Sequence, residues 1–445
     1  MIRLPRHLPT LIILTAVSMF GFYSLSVVLR GAGNRIVKLY DNYNVNVERY
    51  DRLHGPPIES RGYEFETKPI PVNWRNLSAD QVHSMSALGK RLLSVGDISE
   101  VKNVPKDPAK EYLIVVWKHG PFLERRHLKH FTNDASSPWE DCSVNNCRLS
   151  YDSGDVEEAD AVLIHLHKTT GVKDLPDKVN PEKRMKQRWV FLTDESPLHT
   201  FLAGGQSISS YNGLFNWSMS YRMDSDVPVP YGRTVMMIQR NSSTDTQKYT
   251  KAKTKLVAIM GSNCGGSNKR WDYAARLKVA LAERMDAYGR CLKGDTKSCP
   301  GHFTKDCEAL DDYKFYLAFE NSNCREYLTE KPFWHGYHKH AVPVIMGASR
   351  ENCRQLLPPK SYIHVDDFAN PATLADYLLY LDTNDQEYSK FHAWRNQFDV
   401  LNEHGYFQST SRHYCRLCEA LNYNDPSVKV YNHLEDFWSK TKDCW

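Results

Sequence analysis

Short runs of branched apolar residues recur along the chain, and each one ends in a polar cluster. The runs are "YLIVVW" (112–117), "ADAVLIH" (159–165) and "RWVFLT" (188–193), then "KLVAIMGS" (255–262), "KFYLAF" (314–319), "AVPVIMG" (341–347) and "SYIHV" (361–365). Apolarity that does not alternate predicts strands buried on both faces, the habit of parallel sheets. Helical spacing falls between the runs. From residue 271 to 288, Ala274, Leu277, Leu281, Met285 and Tyr288 share one face of a predicted helix. Another helix is expected from about Glu330. Strand, turn and helix in repetition predict an α/β fold with crossover connections.

A polar stretch near residues 240 to 252 splits this pattern in two. The reading is of two Rossmann-like domains, 110–250 and 251–405, facing a cleft, with ligands bound beyond the carboxyl ends of the strands. A cysteine-containing extension, 406–445, follows them. Ahead of them, residues 30–109 are polar and punctuated by Pro56, Pro57, Pro69, Pro71, Pro105 and Pro108, which predicts a stem that sets distance and carries no chemistry. Within it, "QVHSMSALGKRLLSV" (81–95) reads as one helix.

Residues 8–29 carry no charge and are long enough to cross a bilayer, which takes about 20 apolar residues. Arg3 and Arg6 precede them and Arg30, Arg35 and Lys38 follow, so flanking charge does not decide the orientation. The stretch exceeds a usual signal-peptide core and lacks a small-x-small cleavage site, which favours an uncleaved signal anchor with residues 1–7 in the cytosol. Downstream, Asn76, Asn216 and Asn241 each begin a glycosylation sequon. Eleven cysteines fit the same oxidising compartment as disulfides, and the CxxC at Cys415 and Cys418 has no second CxxC or histidine pair to complete a zinc site. An odd count leaves at least one thiol free or paired between chains. The net charge of +4, from 57 basic and 53 acidic residues, gives no ground for a nucleic-acid partner.

Polar constellations follow three of the predicted strands. Asn263-Cys264-Gly265-Gly266 follows the 255–262 run, with Lys269 and Arg270 at the expected helix start, where backbone amides and the helix dipole attract an anion. A solvated loop with basic residues is the plainer account. Glu320-Asn321-Ser322 follows the 314–319 run, with Tyr327, Glu330 and Lys331 next. A lysine in the first turn of a helix lies against the positive dipole end and favours an anionic partner, either a ligand or the carboxylate of Glu320 or Glu330. Asp194 and Glu195 follow the 188–193 run, where a carboxylate serves as a general base, a helix cap or an ion-pair partner. Asp224 and Asp226 form a D-x-D triplet of the kind that can hold a metal, and a surface turn explains it as well.

"DCSVNNC" with "ADAVLIHLHK", "QRWVFLTDESP", "FNWSMSYRMDSDVPVPYG", and "FYLAFENSNCREYLTEK" with "AVPVIMG" occur in this order. On these motifs the chain resembles the α1,3-fucosyltransferase family over residues from about 110 to 420. The resemblance implies the GT-B architecture, a single-pass type II Golgi membrane protein with its catalytic part in the lumen, and inverting transfer of fucose from GDP-fucose. It implies Glu195 as the general base toward the acceptor hydroxyl, and Arg270 and Lys331 as the cations that neutralise the pyrophosphate. Asn321, Tyr327 and Glu330 match residues that line the nucleotide-sugar site. Fixed cations there stabilise the charge that develops as GDP leaves. No metal ligand is assigned, and Mn2+ or Mg2+ is expected only as a stimulant without a dedicated protein site.

Two departures from the family pattern stand near this site. Glu326 replaces an aspartate before the tyrosine, and after Lys331 the usual apolar-Trp-x-Asn-Ala becomes Pro332-Phe333-Trp334-His335-Gly336, with His338 and His340 behind it. The three histidines read as structural or surface residues of a helix that feeds the next strand. The C-terminal extension resembles that of invertebrate enzymes which fucosylate the Asn-linked GlcNAc of N-glycan cores, so N-glycoproteins are the expected acceptors. Transfer to N-acetyllactosamine antennae is the alternative, and a non-catalytic Golgi sugar-binding protein is a remoter one. An unrelated hydrolase is disfavoured because neither G-x-S-x-G nor H-E-x-x-H occurs.

Overall fold

The first six strands form one wholly parallel sheet. β1 (Tyr112–Val116), β2 (Cys147–Ser150), β3 (Ala161–His165), β4 (Arg188–Thr193), β5 (Trp217–Ser220) and β6 (Val227–Pro228) lie in the order β2-β1-β3-β4-β5-β6. Every residue of β3 and β4 is buried, which is why their sequences run apolar without alternation. The chain then passes through β7 (Gly232–Met236) into a second parallel sheet. That sheet comprises β8 (Lys255–Gly261), β9 (Met285–Gly289), β10 (Tyr313–Phe319), β11 (Val342–Met346) and β12 (Ile363–His364), in the order β12-β11-β10-β8-β9. A last strand, β13 (Phe398–Asn402), pairs antiparallel with β7.

The structure is a computed structural model and describes residues 74–445, apart from 95–106, 108, 125–137, 140, 141, 178, 238–248, 250–252, 283, 293–296, 301–304 and 408. The expected anchor at 8–29, the stem up to residue 73 and the sequon at Asn241 lie outside the described residues. Among the described residues, no helix is long and apolar enough to cross a membrane.

Strand order places a switch point in the second sheet. From β8 the chain goes outward to β9 and then returns to β10 on the other side of β8, so the connections that follow β8 and β10 run in opposite directions along the sheet. Ligands of open α/β sheets commonly bind outside the carboxyl ends of the strands at such a switch point. The sheet is covered by the helix Arg270–Ala280, through Ala274 and Leu277, and by the helix Pro371–Thr383, through Leu374, Leu378 and Leu381.

The 271–288 stretch departs from the single helix expected of it. The helix stops at Ala280, Ala282 turns at φ 48°, and Met285–Gly289 becomes β9 beside β8. Apolar residues at 285 and 288 satisfy a helical period, but Met285 and Ala287 enter the core two residues apart, as a strand requires. Pairing with β8 outweighs the local pattern.

The described part of the expected stem is not a spacer. Its one expected helix is two, Ala79–Ser84 and Ala87–Ser94, separated by Met85 in extended conformation. Leu88 and Leu92 join the core on one face of the first sheet, where their helix packs against β6, and Arg75 donates to the carbonyls of Gln355 and Thr234, both at 2.6 Å. The end of the chain also returns to the first sheet. Tyr414, Leu417 and Ala420 of the helix His413–Tyr423 fill the core on one face of that sheet, and Leu434 enters the core on the other.

Disulfides fix that return. Cys142–Cys415 and Cys147–Cys418 divide the CxxC between two bonds, each spanning more than half the chain, which restricts the unfolded state strongly. Cys264–Cys291, Cys299–Cys307 and Cys324–Cys444 complete the set, and the buried Cys353 is the one unpaired thiol. The sequons differ in access. Asn76 is exposed, whereas Asn216 is buried, with Nδ2 donating to Lys429 O at 2.8 Å and Oδ1 accepting from Trp189 N at 3.0 Å.

Candidate active site

β4 delivers two carboxylates past its carboxyl end, and their surroundings differ. Asp194 is buried, while Glu195 is partly exposed. The turn after β10 comes to meet them. Ser322 Oγ donates to Ser196 Oγ at 2.7 Å, Asn321 Nδ2 donates to Glu195 Oε2 at 3.2 Å, and the Tyr327 hydroxyl donates to the same oxygen at 3.0 Å. Burial pushes the Tyr327 phenol far above its ordinary range, so it remains a neutral hydrogen-bond donor. Among the described residues no donor meets Glu195 Oε1.

Behind Glu195, the turn is organised by Glu320, which is wholly buried. Its Oε1 accepts from Thr329 N at 2.8 Å and Thr329 Oγ1 at 2.9 Å, and its Oε2 accepts from Lys331 Nζ at 2.8 Å. Lys331 also reaches Glu330 Oε1 at 3.3 Å. Burial works to lift Glu320 and to lower Lys331, and the carboxylates of Glu320 and Glu330 carry the net shift of the lysine upward, so it stays charged. The anionic partner that the sequence demanded for Lys331 is thus supplied first by Glu320. Gly347, at φ 142° just beyond β11, makes room for this arrangement: a Cβ there would stand 2.7 Å from Glu320 Cβ.

The turn after β8 is locked onto the same structure. Arg270 starts its helix while buried, with Nη1 donating to Phe319 O at 3.0 Å and Nη2 to Asn263 O at 2.7 Å. Burial lowers its pKa, and its Nε is buried without a hydrogen-bond partner among the described residues. Gly266, at φ 140°, allows Asn321 O to approach to 2.9 Å from where a Cβ would be, and Ser267 N donates to that oxygen at 2.9 Å. Of the six residues singled out from the sequence, Glu195, Asn321 and Tyr327 share hydrogen bonds. Glu330 and Lys331 form a second group around Glu320, and Arg270 is held behind it by the last carbonyl of β10.

Sequence reasoning missed what holds Asp194. Its Oδ1 meets His404 Nε2 at 3.1 Å and His413 Nε2 at 3.0 Å. These three buried ligand-type atoms lie within 4.8 Å of one another, a set able to ligate a metal but spaced here as two imidazole donors on one carboxylate oxygen. Tyr231 adds a hydrogen bond to Asp194 O at 2.9 Å and stacks on His404 with ring centroids 3.7 Å apart. The histidines stand 210 and 219 residues from Asp194, so no local pattern announces them.

The D-x-D triplet is not a surface turn. Asp224 pairs with Arg222 at 2.6 Å and Arg325 at 3.0 Å, and Asp226 with Lys429 at 2.7 Å and Tyr431 at 2.8 Å. The C-terminal segment covers this turn and supplies two of those partners, which commits both carboxylates to the chain itself. Of the three clustered histidines, His335 is buried between Tyr316 and Phe407, and His338 stacks on Trp334 at 3.9 Å.

Residues 109–232 match the family described as fucosyltransferase, N-terminal, and residues 250–438 match glycosyltransferase family 10 (fucosyltransferase) C-term. The chain is 33% identical over 415 residues to glycoprotein 3-alpha-L-fucosyltransferase A of Drosophila melanogaster, covering 88% of this chain and 75% of that one. It is 35% identical over 276 residues to the 4-galactosyl-N-acetylglucosaminide 3-alpha-L-fucosyltransferase FUT6 of Homo sapiens, covering 62% of this chain and 71% of that one. A crystal structure of an alpha1,3-fucosyltransferase with GDP-fucose aligns with a TM-score of 0.43 and 18% identity over 74% of this chain and 97% of that one. With two family matches in chain order and a relative this similar along most of both sequences, the chain belongs to glycosyltransferase family 10, the fucosyltransferases.

Proposed function

We propose that the protein transfers L-fucose from GDP-β-L-fucose, in α1,3 linkage and with inversion, to the innermost, Asn-linked GlcNAc of N-glycan cores. The observation that carries this reading is the Glu195 carboxylate, gripped through Oε2 by Asn321 and Tyr327 while Oε1 has no donor among the described residues. The acceptor hydroxyl passes its proton to Oε1, and its oxygen attacks C1 of fucose on the face opposite the phosphate. The bond from C1 to the phosphate oxygen breaks, and its electron pair leaves with GDP. Two neutral hydrogen-bond donors hold the base without competing for its charge.

Negative charge grows on the diphosphate as this bond breaks, and Lys331 and Arg270 are the cations placed on the turns at the switch point to stabilise it. Asn321, Tyr327 and Glu330 line the nucleotide sugar on the same turn. Glu195 comes from one parallel sheet and the sugar-donor turns from the other, which supports a GT-B architecture of two Rossmann-like domains facing a cleft. A divalent ion such as Mn2+ or Mg2+ would supply further neutralisation at the diphosphate. Asp224 and Asp226, already paired, offer it no cage.

Five disulfides and the uncharged 8–29 stretch support a lumenal catalytic part on a type II Golgi membrane anchor. The reach of the similarity favours the core acceptor: the Drosophila glycoprotein enzyme matches over 88% of this chain, and the human enzyme named for a galactosyl-N-acetylglucosaminide over 62%. The test is a side-by-side transfer assay with GDP-fucose, a core N-glycopeptide and a lactosamine oligosaccharide. Fucose in α1,3 linkage on the Asn-linked GlcNAc is expected. Fucose on lactosamine alone overturns the acceptor, and no Glu195-dependent release of GDP overturns the activity.

A further inference from the structure

A cavity of ≈ 490 Å³ lies between residues 197–208, which follow Glu195 in the chain, and the end of the chain, 435–442. Its first wall begins at Pro197, two residues beyond Glu195. The facing wall is rigidly referenced to the reacting groups. Trp438 is 1% exposed, its Nε1 donates to Thr200 Oγ1 at 2.8 Å, and its ring meets Tyr221, whose other neighbour is Tyr327. Arg222 pairs with Asp443 at 3.1 Å, and Cys444 is bonded to Cys324 in the turn that carries Asn321 and Tyr327.

The volume falls within the roughly 300–1,000 Å³ of small-ligand sites. Its chemistry points away from the sugar nucleotide. Glu435 and Asp436 stand against Lys440 and Lys442, with Asp436 and Lys442 paired at 2.7 Å, so the lining charges cancel and select no anion. The rest alternates apolar surface from Phe201 and Ile208 with hydroxyls from Ser207 and Thr441. An uncharged sugar chain presents that same alternation, hydroxyl edges beside C–H faces.

We infer that this cavity is an acceptor subsite, which holds the part of an oligosaccharide that extends beyond the reacting GlcNAc. The inference rests on the fucosyl-transfer reading above and names the surface by which the enzyme senses acceptor length. Ser207 is exposed on the cavity wall, and Ser207→Trp fills the space without disturbing a buried group. Thr441→Trp does the same from the facing wall and serves where the first variant fails to fold.

The experiment compares kcat/KM for a glycopeptide bearing an intact N-glycan core with that for one trimmed to its two innermost GlcNAc residues, with GDP-fucose as sugar donor throughout. The parent chain is expected to prefer the long acceptor, and either variant to reduce that preference about tenfold, the equivalent of ~1.4 kcal/mol. The loss is expected in the KM of the long acceptor, with the KM for GDP-fucose unchanged. An undiminished preference in a folded variant overturns the subsite, as does an equal loss with both acceptors or a parent indifferent to length. Absence of transfer to any acceptor by the parent takes down the fucosyl-transfer reading as well, so the two failures are told apart.

Discussion

The Tyr327 hydroxyl reaches Glu195 Oε2 at 3.0 Å across 132 residues of sequence. That bond joins the carboxyl end of β4 in one parallel sheet to the turn after β10 in the other. Tyr327 is itself packed on Tyr221, so the carboxylate is aimed by a buried ring rather than by a mobile side chain.

Removing the proposed base while keeping its shape separates binding from chemistry. Glu195→Gln is expected to bind GDP-fucose normally and to turn over about 10²- to 10⁴-fold more slowly, the usual contribution of a positioned general base. Tyr327→Phe should cost less, about tenfold, since Asn321 still donates to Oε2. Calorimetric sugar-donor titration beside single-turnover rates checks both, and normal turnover in Glu195→Gln would remove that residue from the mechanism.

One pair of variants separates the observed pairing of Lys331 with Glu320 from its proposed role at the diphosphate. Lys331→Ala leaves the buried Glu320 without its cation and is expected to cost ~3–5 kcal/mol of stability, as for other broken buried pairs. Adding Glu320→Gln should restore most of that stability while the KM for GDP-fucose stays raised. A double variant with parental KM would show that the lysine serves the fold alone.

His335 makes stability depend on acidity. Burial pushes it down to about 3, with Glu330 and Asp306 opposing and Lys331 and Lys339 reinforcing the shift. In the unfolded chain it titrates near ~6.5. Above that value it is neutral in both states. As the pH falls below it, the unfolded chain takes up a proton that the folded chain refuses, and stability is lost progressively toward pH 3. His335→Phe is expected to abolish ~2 kcal/mol of the difference in unfolding free energy between pH 7 and pH 5. Denaturant titrations at the two pH values measure it, and an unchanged slope in the variant contradicts the assignment.

Peptide mapping after secretory expression should find glycan on Asn76 and none on Asn216, whose side-chain nitrogen is buried in a hydrogen bond to Lys429 O. Asn216→Ala is expected to destabilise by about 1–3 kcal/mol, the penalty for buried polar partners left unsatisfied, and Asn76→Gln by almost nothing. Glycan at Asn216 in folded protein would contradict the packing described for β4 and β5.

Strands buried on both faces announce themselves in sequence, because each residue must be apolar whichever way it points. For that reason β1, β3, β4, β8, β10, β11 and β12 were legible, and with them the polar turns that carry Glu195, Arg270, Asn321, Tyr327, Glu330 and Lys331. The two-residue β6 and the mixed β13 have too little apolar surface to stand out, and β9 was hidden inside a helical period.

Local periodicity carries no information about which distant segments meet. The strand order that brings the turns after β8 and β10 together, the pairing of Asp194 with His404 and His413, and the choice of Glu320 as partner to Lys331 all follow from tertiary packing. So does the return of residues 413–445 to the first sheet, which pairs Asp226 with Lys429 and Tyr431 and builds one wall of the cavity lined by residues 197–208. Residue type supplied the candidate charges, but only the folded chain, by burying some and pairing others, left particular atoms such as Glu195 Oε1 without a donor among the described residues.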